Sequence, residues 1–194
     1  MYRNAFRCAA LVGLACLVNI PNAIICAASL REEVVAYRTQ GYEAQRRGDR
    51  VSAKSFYQKA IELDPTYPTP HNDMGVLLEE EGRLEEAERL YQEALSLSPN
   101  HLEANANLAM LYERMGKKEQ AIVHWTKRYE LGDPSDPWTD RAQQRLVALG
   151  ALKAVPGLKG AGATRRRLIR EELQAHAQSV EEFRAVTEEH GDWP

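Results

Sequence analysis

Cysteine is scarce in this chain of 194 residues and is confined to its beginning. The three cysteines are Cys8, Cys16 and Cys26, and none follows them. The remainder of the sequence therefore has no thiol with which to build a disulfide framework, a cysteine-ligated metal site or a cysteine nucleophile. Any chemistry or stabilisation beyond that point has to come from other side chains.

Clusters of residues suited to catalysis or metal binding are also missing. The five histidines, His71, His101, His124, His176 and His190, have no ligand-like spacing to one another or to a pair of carboxylates. The sequence contains no glycine-rich phosphate-binding loop, and a formal net charge of −3 gives no sign of a nucleic-acid-binding protein. We therefore expect a non-enzymatic protein without a cofactor or a metal ion.

The first 28 residues differ in kind from the rest of the chain. Arg3 and Arg7 precede an uncharged, largely apolar run that ends in the small residues Ala27, Ala28 and Ser29. A positive start, an apolar middle and a small-residue end are the parts of a secretory signal peptide. We predict a signal peptide over 1–28, with cleavage after Ala28 or Ala27, and an exported protein of the periplasm or cell envelope. Cleavage would remove two arginines and no acid, which changes the formal charge from −3 to −5.

A membrane anchor is the alternative reading of the same segment. If residues 1–28 stay attached, they are the part of the chain through which we expect it to meet a membrane. Asn19, Pro21 and Asn22 interrupt the apolar run, which makes a spanning helix of about 20 residues the weaker hypothesis.

From residue 34 onward the sequence repeats with a period of 34 residues. Each repeat has a small residue at position 8, glycine at 15, alanine at 20, an aromatic residue at 24 and leucine at 30. These sets are Gly41, Gly75 and Ala109; Gly48, Gly82 and Gly116; Ala53, Ala87 and Ala121; Tyr57, Tyr91 and Trp125; and Leu63, Leu97 and Leu131. Such a register indicates an array built from one supersecondary unit.

Each repeat carries the pattern of two helices joined by a turn. Apolar residues recur at helical spacing on both sides of a central glycine, as with Leu77 and Leu78 before Gly82 and Leu90 and Tyr91 after it. The glycine ends the first helix, where a left-handed backbone conformation costs least without a side chain. One such hairpin buries too little apolar surface to stand alone, so neighbouring hairpins have to stack.

This pattern resembles the tetratricopeptide repeat, in which a small residue at position 8, alanine at 20, an aromatic at 24 and proline near 32 recur. The resemblance implies an all-α fold, an α-α superhelix of three helix-turn-helix repeats. It divides residues 34–134 into repeats at 34–67, 68–101 and 102–134.

The third repeat departs from the pattern at two places. Arg128 stands where the other repeats have Ala60 and Ala94, and the terminal Pro134 comes one residue late. Since terminal repeats are often atypical, we expect this repeat to face something other than a fourth copy of itself.

A capping helix is predicted over 136–150. Asp136 followed by Pro137 has the composition of a helix start. Helical spacing places five residues on the face that we expect to cover the third repeat: Trp138, Ala142, Arg145, Leu146 and Leu149. Residues 151–164, which contain glycine and proline but no acid, are predicted to be a flexible linker.

A separate amphipathic helix is predicted over 165–190. It begins with a basic cluster, and its apolar residues Ile169, Leu173, Val180 and Phe183 continue through His176 and Thr187 in alternating steps of four and three. This is a short heptad-like seam. Three alternatives stay open for it: docking on the repeats, pairing with a second chain in a homodimer, or remaining loose.

The resemblance also implies where a partner would bind. In tetratricopeptide proteins the first helix of each repeat lines a concave groove, with positions 2, 5, 9 and 12 facing it. The predicted groove residues are Arg38, Asn72 and Ala106 at position 5, Tyr42, Val76 and Met110 at position 9, Gln45, Glu79 and Glu113 at position 12, and Asn107. The residues at position 9 would form an apolar stripe. The groove around it would be basic at the first repeat and acidic farther along. The alternative is that Val76 and Met110 only pack against neighbouring helices.

Some members of the family clamp a terminal carboxylate with lysine and asparagine side chains in this groove. Arg38 and Asn107 fit such a clamp, but Tyr42, Asp73 and Glu103 stand where further clamp groups belong. An extended or helical peptide with an apolar anchor is therefore the expected ligand.

Two functions follow from the sequence as alternatives. In the first, the chain is a non-catalytic interaction module or scaffold that binds a peptide or protein segment in the groove. In the second, it is a structural envelope protein that self-associates through 165–190, with the repeats as a rigid spacer.

Overall fold

The computed structural model describes residues 20–152 and 163–189, with side chains for 30–152 and 169–182. Within these ranges it contains eight α-helices and no strand, so the predicted all-α class is confirmed. The helices are α1 (Ile20–Arg46), α2 (Arg50–Leu63), α3 (Pro68–Glu80), α4 (Leu84–Leu97), α5 (Leu102–Arg114), α6 (Lys118–Leu131), α7 (Pro137–Ala148) and α8 (Ala163–Glu189).

The chain divides into two compact units between Leu97 and Ser98. In the first unit α1 packs against α2, α2 against α3, and α3 against α4. In the second unit α5 packs against α6, and α6 against α7. The strongest contacts join α1 to α2, α3 to α4 and α5 to α6, which are the helical hairpins that the 34-residue period predicts.

A glycine in the left-handed conformation turns the chain inside each hairpin. Gly48, Gly82 and Gly116 have φ angles of 79°, 78° and 73°. The next residue closes the turn by donating its N–H to the carbonyl oxygen five residues back, as in the 2.9 Å bond from Arg83 N to Leu78 O. This is the glycine-ended helix that the sequence predicts.

The aromatic residue at position 24 forms the centre of each hairpin. The side chains of Tyr57, Tyr91 and Trp125 are fully buried. A Cβ atom added at Gly41 would lie 2.6 Å from Tyr57 Cδ1, and one added at Gly75 would lie 2.7 Å from Tyr91 Cε1. The tyrosine ring therefore rests directly on the backbone of the first helix, which explains why that position has no side chain in the first two repeats.

In two of the hairpins, a polar side chain at position 4 hydrogen-bonds to the loop that precedes the hairpin. His71 Nε2 lies 3.2 Å from the carbonyl oxygen of Pro65, and Asn105 Nδ2 donates to the carbonyl oxygen of Pro99 over 3.2 Å. Each contact spans six residues and lies within one unit. These bonds fix how the chain enters α3 and α5.

Arg128, at which the third repeat departs from the pattern, binds the beginning of α7. Buried Arg128 donates from Nη2 to Asp136 Oδ2 and, over 3.3 Å, from Nη1 to Thr139 Oγ1. Asp136 also caps α7 by accepting the Trp138 N–H at 3.0 Å. Both bonds hold the pKa of Asp136 below its ordinary value. Arg128 thus replaces the alanine of the other repeats because it binds the beginning of the capping helix.

The packed face of α7 differs in part from the predicted one. Thr139, Ala142 and Leu146 are buried, whereas Trp138 is 40% exposed. Placing Trp138 on the packed face was therefore wrong. The reason is that Thr139, Ala142 and Leu146 turn the packed face away from the direction predicted for it. Trp138 and the half-buried Arg145 therefore lie along its edge.

The C-terminal helix α8 contacts the second unit near its own beginning. Ile169 and Leu173 are buried, and Arg170 Nε lies 3.9 Å from Glu130 Oε1 on α6. Of the three alternatives for this segment, docking on the repeats stays a prediction, which the burial of Ile169 and Leu173 supports.

The remaining predictions for the chain ends fall largely outside the described residues. This applies to 1–19 of the predicted signal peptide and to 153–162 of the predicted linker, although Ala151 and Leu152 are buried. The predicted cleavage point lies within α1, which begins at Ile20. Among the described helices, none combines the length and apolarity needed to cross a membrane.

One half-buried histidine in the second unit is uncharged at neutral pH. His124 Nδ1 lies 3.1 Å from Asn105 Oδ1. The Asn105 amide nitrogen already donates to Pro99 O and His101 O, so its oxygen accepts and the imidazole donates. Burial, with a smaller contribution from Lys127, lowers the pKa of His124 to about 4. His124 is therefore uncharged at neutral pH.

We predict that Gly75→Ala destabilises the chain, although alanine inside a helix is normally more stable than glycine by about 1 kcal/mol. The added methyl group collides with the Tyr91 ring, and overpacking of this kind costs about 1–3 kcal/mol. Urea unfolding of the single variants and of Gly75→Ala combined with Tyr91→Leu measures the coupling. Without the ring, the alanine should be neutral or stabilising. A Gly75→Ala variant as stable as the parent chain would contradict this packing.

We also predict that acid destabilises the second unit through His124. The unfolded histidine binds a proton near pH 6.5, whereas the folded one does so near pH 4. Its contribution is therefore complete above pH 6.5 and is lost as the pH falls towards 4, because the unfolded state binds the proton first. Between pH 7.5 and 5 the parent chain should lose about 1 kcal/mol more than His124→Gln, once solvent screening is allowed for. Glutamine keeps a donor for Asn105 but does not titrate, and equal losses in urea unfolding would contradict the assignment.

Candidate peptide-binding surface

The predicted groove residues lie on α1, α3 and α5, the first helices of the three hairpins, and differ widely in exposure. Tyr42 is 52% exposed, whereas Asn72 and Ala106 are only 4% and 3% exposed. The half-buried ones are Arg38, Gln45, Val76, Glu79, Asn107, Met110 and Glu113. Position 5 is thus buried in the second and third hairpins, and we leave Asn72 and Ala106 out of the candidate surface.

Position 12 has a structural partner in every repeat. Tyr57 Oη donates to Gln45 Oε1 at 2.9 Å, and Tyr91 Oη donates to Glu79 Oε2 at 2.9 Å. In the third repeat Trp125 Nε1 donates to Glu113 Oε1 at 2.6 Å. Each bond joins the buried aromatic of the second helix to an acceptor on the first helix of the same hairpin.

These bonds satisfy polar groups that would otherwise be buried without a partner. Burial raises the pKa of the Tyr57 hydroxyl, which therefore remains a protonated donor. Sequence reasoning assigned position 12 to ligand binding alone and missed this role. The signal was present, because every repeat pairs an aromatic that can donate with an acceptor twelve residues before it.

Two polar bridges connect α1 to α3 in the first unit. Arg38 Nε donates to Asp73 Oδ2 at 2.7 Å, and Gln45 Nε2 donates to Glu80 Oε1 at 3.0 Å. Burial alone would lower the pKa of Arg38, but the hydrogen bond to Asp73 and the charge of Asp73, with smaller contributions from Tyr67 and Tyr57, together raise it. Asp73 therefore engages the guanidinium that was predicted to line the groove.

Tyr42 and Val76 occupy the strip between these bridges. On α1, Tyr42 lies one turn from both Arg38 and Gln45, and on α3, Val76 lies about one turn from both Asp73 and Glu80. The Tyr42 ring has Arg46 at 6.0 Å from its centroid. We call these two apolar side chains, one exposed and one half-buried, the α1/α3 strip.

The corresponding strip in the second unit lies on α5 and is closed at one end. Met110 and Asn107 are half-buried on α5. Glu113 accepts from Arg145 Nε of α7 at 3.0 Å and from Arg145 Nη2, in addition to Trp125. Burial would raise the pKa of Glu113, but the Arg145 and Trp125 hydrogen bonds together hold it below its ordinary value. Glu113 is therefore committed to the contact with α7.

The described residues offer no constellation of another kind. Among the side chains described at 30–152 and 169–182, no group of three or more from histidine, cysteine, aspartate or glutamate is placed to hold a metal ion. In the same ranges every buried side-chain nitrogen or oxygen atom has a hydrogen-bond partner. The first helices instead present exposed and half-buried apolar side chains, next to the hydrogen bonds that join the helices.

Comparison with protein families identifies the repeats. Three family models described as tetratricopeptide repeat match residues 36–67, 56–89 and 78–123. A comparison with curated proteins finds no match.

Solved structures of similar fold are tetratricopeptide domains. The first TPR of Spaghetti (RPAP3), bound to the HSP90 peptide SRMEEVD, is 18% identical with a TM-score of 0.56, over 61% of this chain and 94% of that one. The TPR domain of Arabidopsis OM64 is 18% identical with a TM-score of 0.55, over 61% and 98%. The Sgt2 TPR domain from Aspergillus fumigatus is 20% identical with a TM-score of 0.52, over 69% and 93%.

These similarities establish the fold as the α-α superhelix class, which is generally a fold of protein interaction rather than catalysis. Residues 36–123 match tetratricopeptide-repeat models, which supports the prediction of a tetratricopeptide-repeat protein.

Proposed function

We propose that the chain is a non-catalytic interaction module that binds a peptide or protein segment on the first helices of its hairpins. The observation that supports this proposal is the α1/α3 strip, which contains the 52% exposed Tyr42 and the half-buried Val76. The Arg38–Asp73 and Gln45–Glu80 hydrogen bonds join the two helices of the strip. Exposed aromatic side chains on a preorganised surface are favourable binding anchors, since little conformational freedom is lost on binding.

The ligand that we infer is a segment with an apolar anchor. Arg38 is paired with Asp73, so the first unit has no unmatched cation at that position for a terminal carboxylate. One similar structure, the first TPR of Spaghetti, is described as bound to an HSP90 peptide. That precedent supports a peptide as the class of ligand, while the Arg38–Asp73 pair argues for a different peptide chemistry.

Self-association through α8 is the less favoured function. Ile169 and Leu173 belong to the seam that would pair two chains, and both are buried within this chain. A dimer through that seam would have to displace them.

The test is a displayed-peptide selection followed by affinity measurements with matched variants. Val76→Arg on α3 and Met110→Glu on α5 should each weaken selected peptides at least about tenfold, since each puts a charge at an apolar contact. Val51→Arg on α2 and Val123→Glu on α6 carry the same changes on second helices, where the original side chains are 83% and 53% exposed. These controls should change the affinity less than about twofold.

Circular dichroism establishes that all four variants keep their helicity. If the first-helix variants bind the selected peptides as well as the second-helix controls do, the binding surface lies elsewhere and the proposal fails.

We also propose that the protein is exported, with residues 1–28 as the signal peptide. The sequence of the segment supports this, since Arg3 and Arg7 precede an apolar run that ends at small residues. Mass spectrometry of the chain expressed in a secreting host should find Ser29 or Ala28 at the N-terminus. A chain that retains Met1 in the membrane fraction would favour the anchor instead, and one that retains it in the cytosol would contradict export.

A further inference from the structure

Helix α7 has the register of a fourth first helix. The N-caps of α3, α5 and α7 are Tyr67, His101 and Asp136, which are spaced 34 and 35 residues apart. Counted from that cap, Trp138, Arg141 and Arg145 stand at positions 2, 5 and 9. The resemblance to tetratricopeptide proteins implies that these positions of a first helix face the groove, although position 5 is buried in α3 and α5.

The contacts of α7 agree with this register. In the first unit, polar bonds join α1 to α3 as consecutive first helices, and in the second unit Arg145 of α7 joins Glu113 of α5 in the same manner. Buried Thr139, Ala142 and Leu146 hold the helix in place. Helix α7 packs mainly against α6 and is bonded to α5 through Arg145.

Trp138 and Arg141 form an exposed pair on this helix. Arg141 Cζ lies 4.9 Å from the centroid of the Trp138 ring, and the ring remains 40% exposed. Stacking on an indole face restricts a guanidinium while leaving its edge donors open to a planar carboxylate. Tryptophan and arginine are also the residues most enriched among binding hot spots.

Positive charge exceeds negative charge along this edge of α7. Arg145 engages the carboxylate of Glu113 in a two-point bond, and the charge of Arg141 makes a smaller contribution to the lowered pKa of Glu113. Asp136 is engaged by Arg128, and Asp140 lies about 160° around the helix from Trp138. The guanidinium of Arg141 is thus the charge in excess.

We propose that Trp138 and Arg141 form a subsite that binds an acidic side chain adjacent to an apolar one in a peptide. The carboxylate would accept hydrogen bonds from Arg141, and the apolar side chain would pack on the exposed indole. The proposal rests on the proposed function, whose binding strips it extends onto α7. It assigns to the capping helix a part in recognition as well as the covering of the third repeat.

The test uses two synthetic ten-residue peptides with blocked ends, so that neither has a terminal charge. One contains two leucine–glutamate pairs and the other contains leucine–glutamine pairs at the same places. Binding is followed by tryptophan fluorescence in the full chain carrying Trp193→Phe, where Trp138 is an exposed reporter and Trp125 is buried. The glutamate peptide should bind about fivefold more tightly than the glutamine peptide, as expected for one exposed ion pair of about 1 kcal/mol.

Arg141→Gln should abolish this preference, and Arg141→Lys should retain part of it. Arg89→Gln is the matched control, because Arg89 is a 69% exposed arginine on α4 in the other unit. That variant should keep the full preference. High salt should reduce the preference in the parent chain, since the pair is exposed.

Failure of the subsite and failure of the proposed function give different results. Binding of neither peptide, equal binding of both by the parent chain, or an unchanged preference in Arg141→Gln overturns the subsite. The proposed function fails separately, when peptides selected from the displayed library bind Val76→Arg and Met110→Glu as well as they bind the parent chain.

Discussion

The structure depends on a buried aromatic residue that does two things at once in each hairpin. In the first two repeats, Tyr57 and Tyr91 rest on a glycine of the first helix, so the two backbones approach closely. In all three, the aromatic also donates a hydrogen bond to the side chain at position 12. Contact fixes the distance between the helices, and the bond fixes their rotation. The first helix is therefore held with one side turned away from its partner, and the candidate binding residues lie on that side.

Much of this arrangement could be predicted from the sequence because it depends on residues that repeat. The period of 34 residues places the turns at Gly48, Gly82 and Gly116, and the backbone confirms them. The exposure of individual groove residues could not be predicted in the same way, because it depends on neighbours that do not repeat. Asn72 and Ala106 share a position with the half-buried Arg38, yet both are buried. Register fixes which side of a helix a residue faces, but not what covers that side.

The end of the array illustrates the same limit. Arg128 could be recognised as a departure from the repeat, but its partners Asp136 and Thr139 lie in a segment outside the pattern. Likewise, helical spacing grouped Trp138 with the packed residues of α7, although it lies at their edge. One added residue before α7 and one arginine in place of alanine convert a repeat into a terminus. The Trp138–Arg141 pair lies exposed on the helix that follows this terminus.

The proposed function requires that partners bind on the first helices. Nuclear magnetic resonance of the isotope-labelled chain with an unlabelled selected peptide tests it most directly, through intermolecular contacts between protons. The account predicts contacts from the peptide to the Tyr42 ring and the Val76 methyl groups, or to the Met110 methyl group, and none to Val51 or Val123. Contacts confined to α2, α4, α6 or α8 would contradict it.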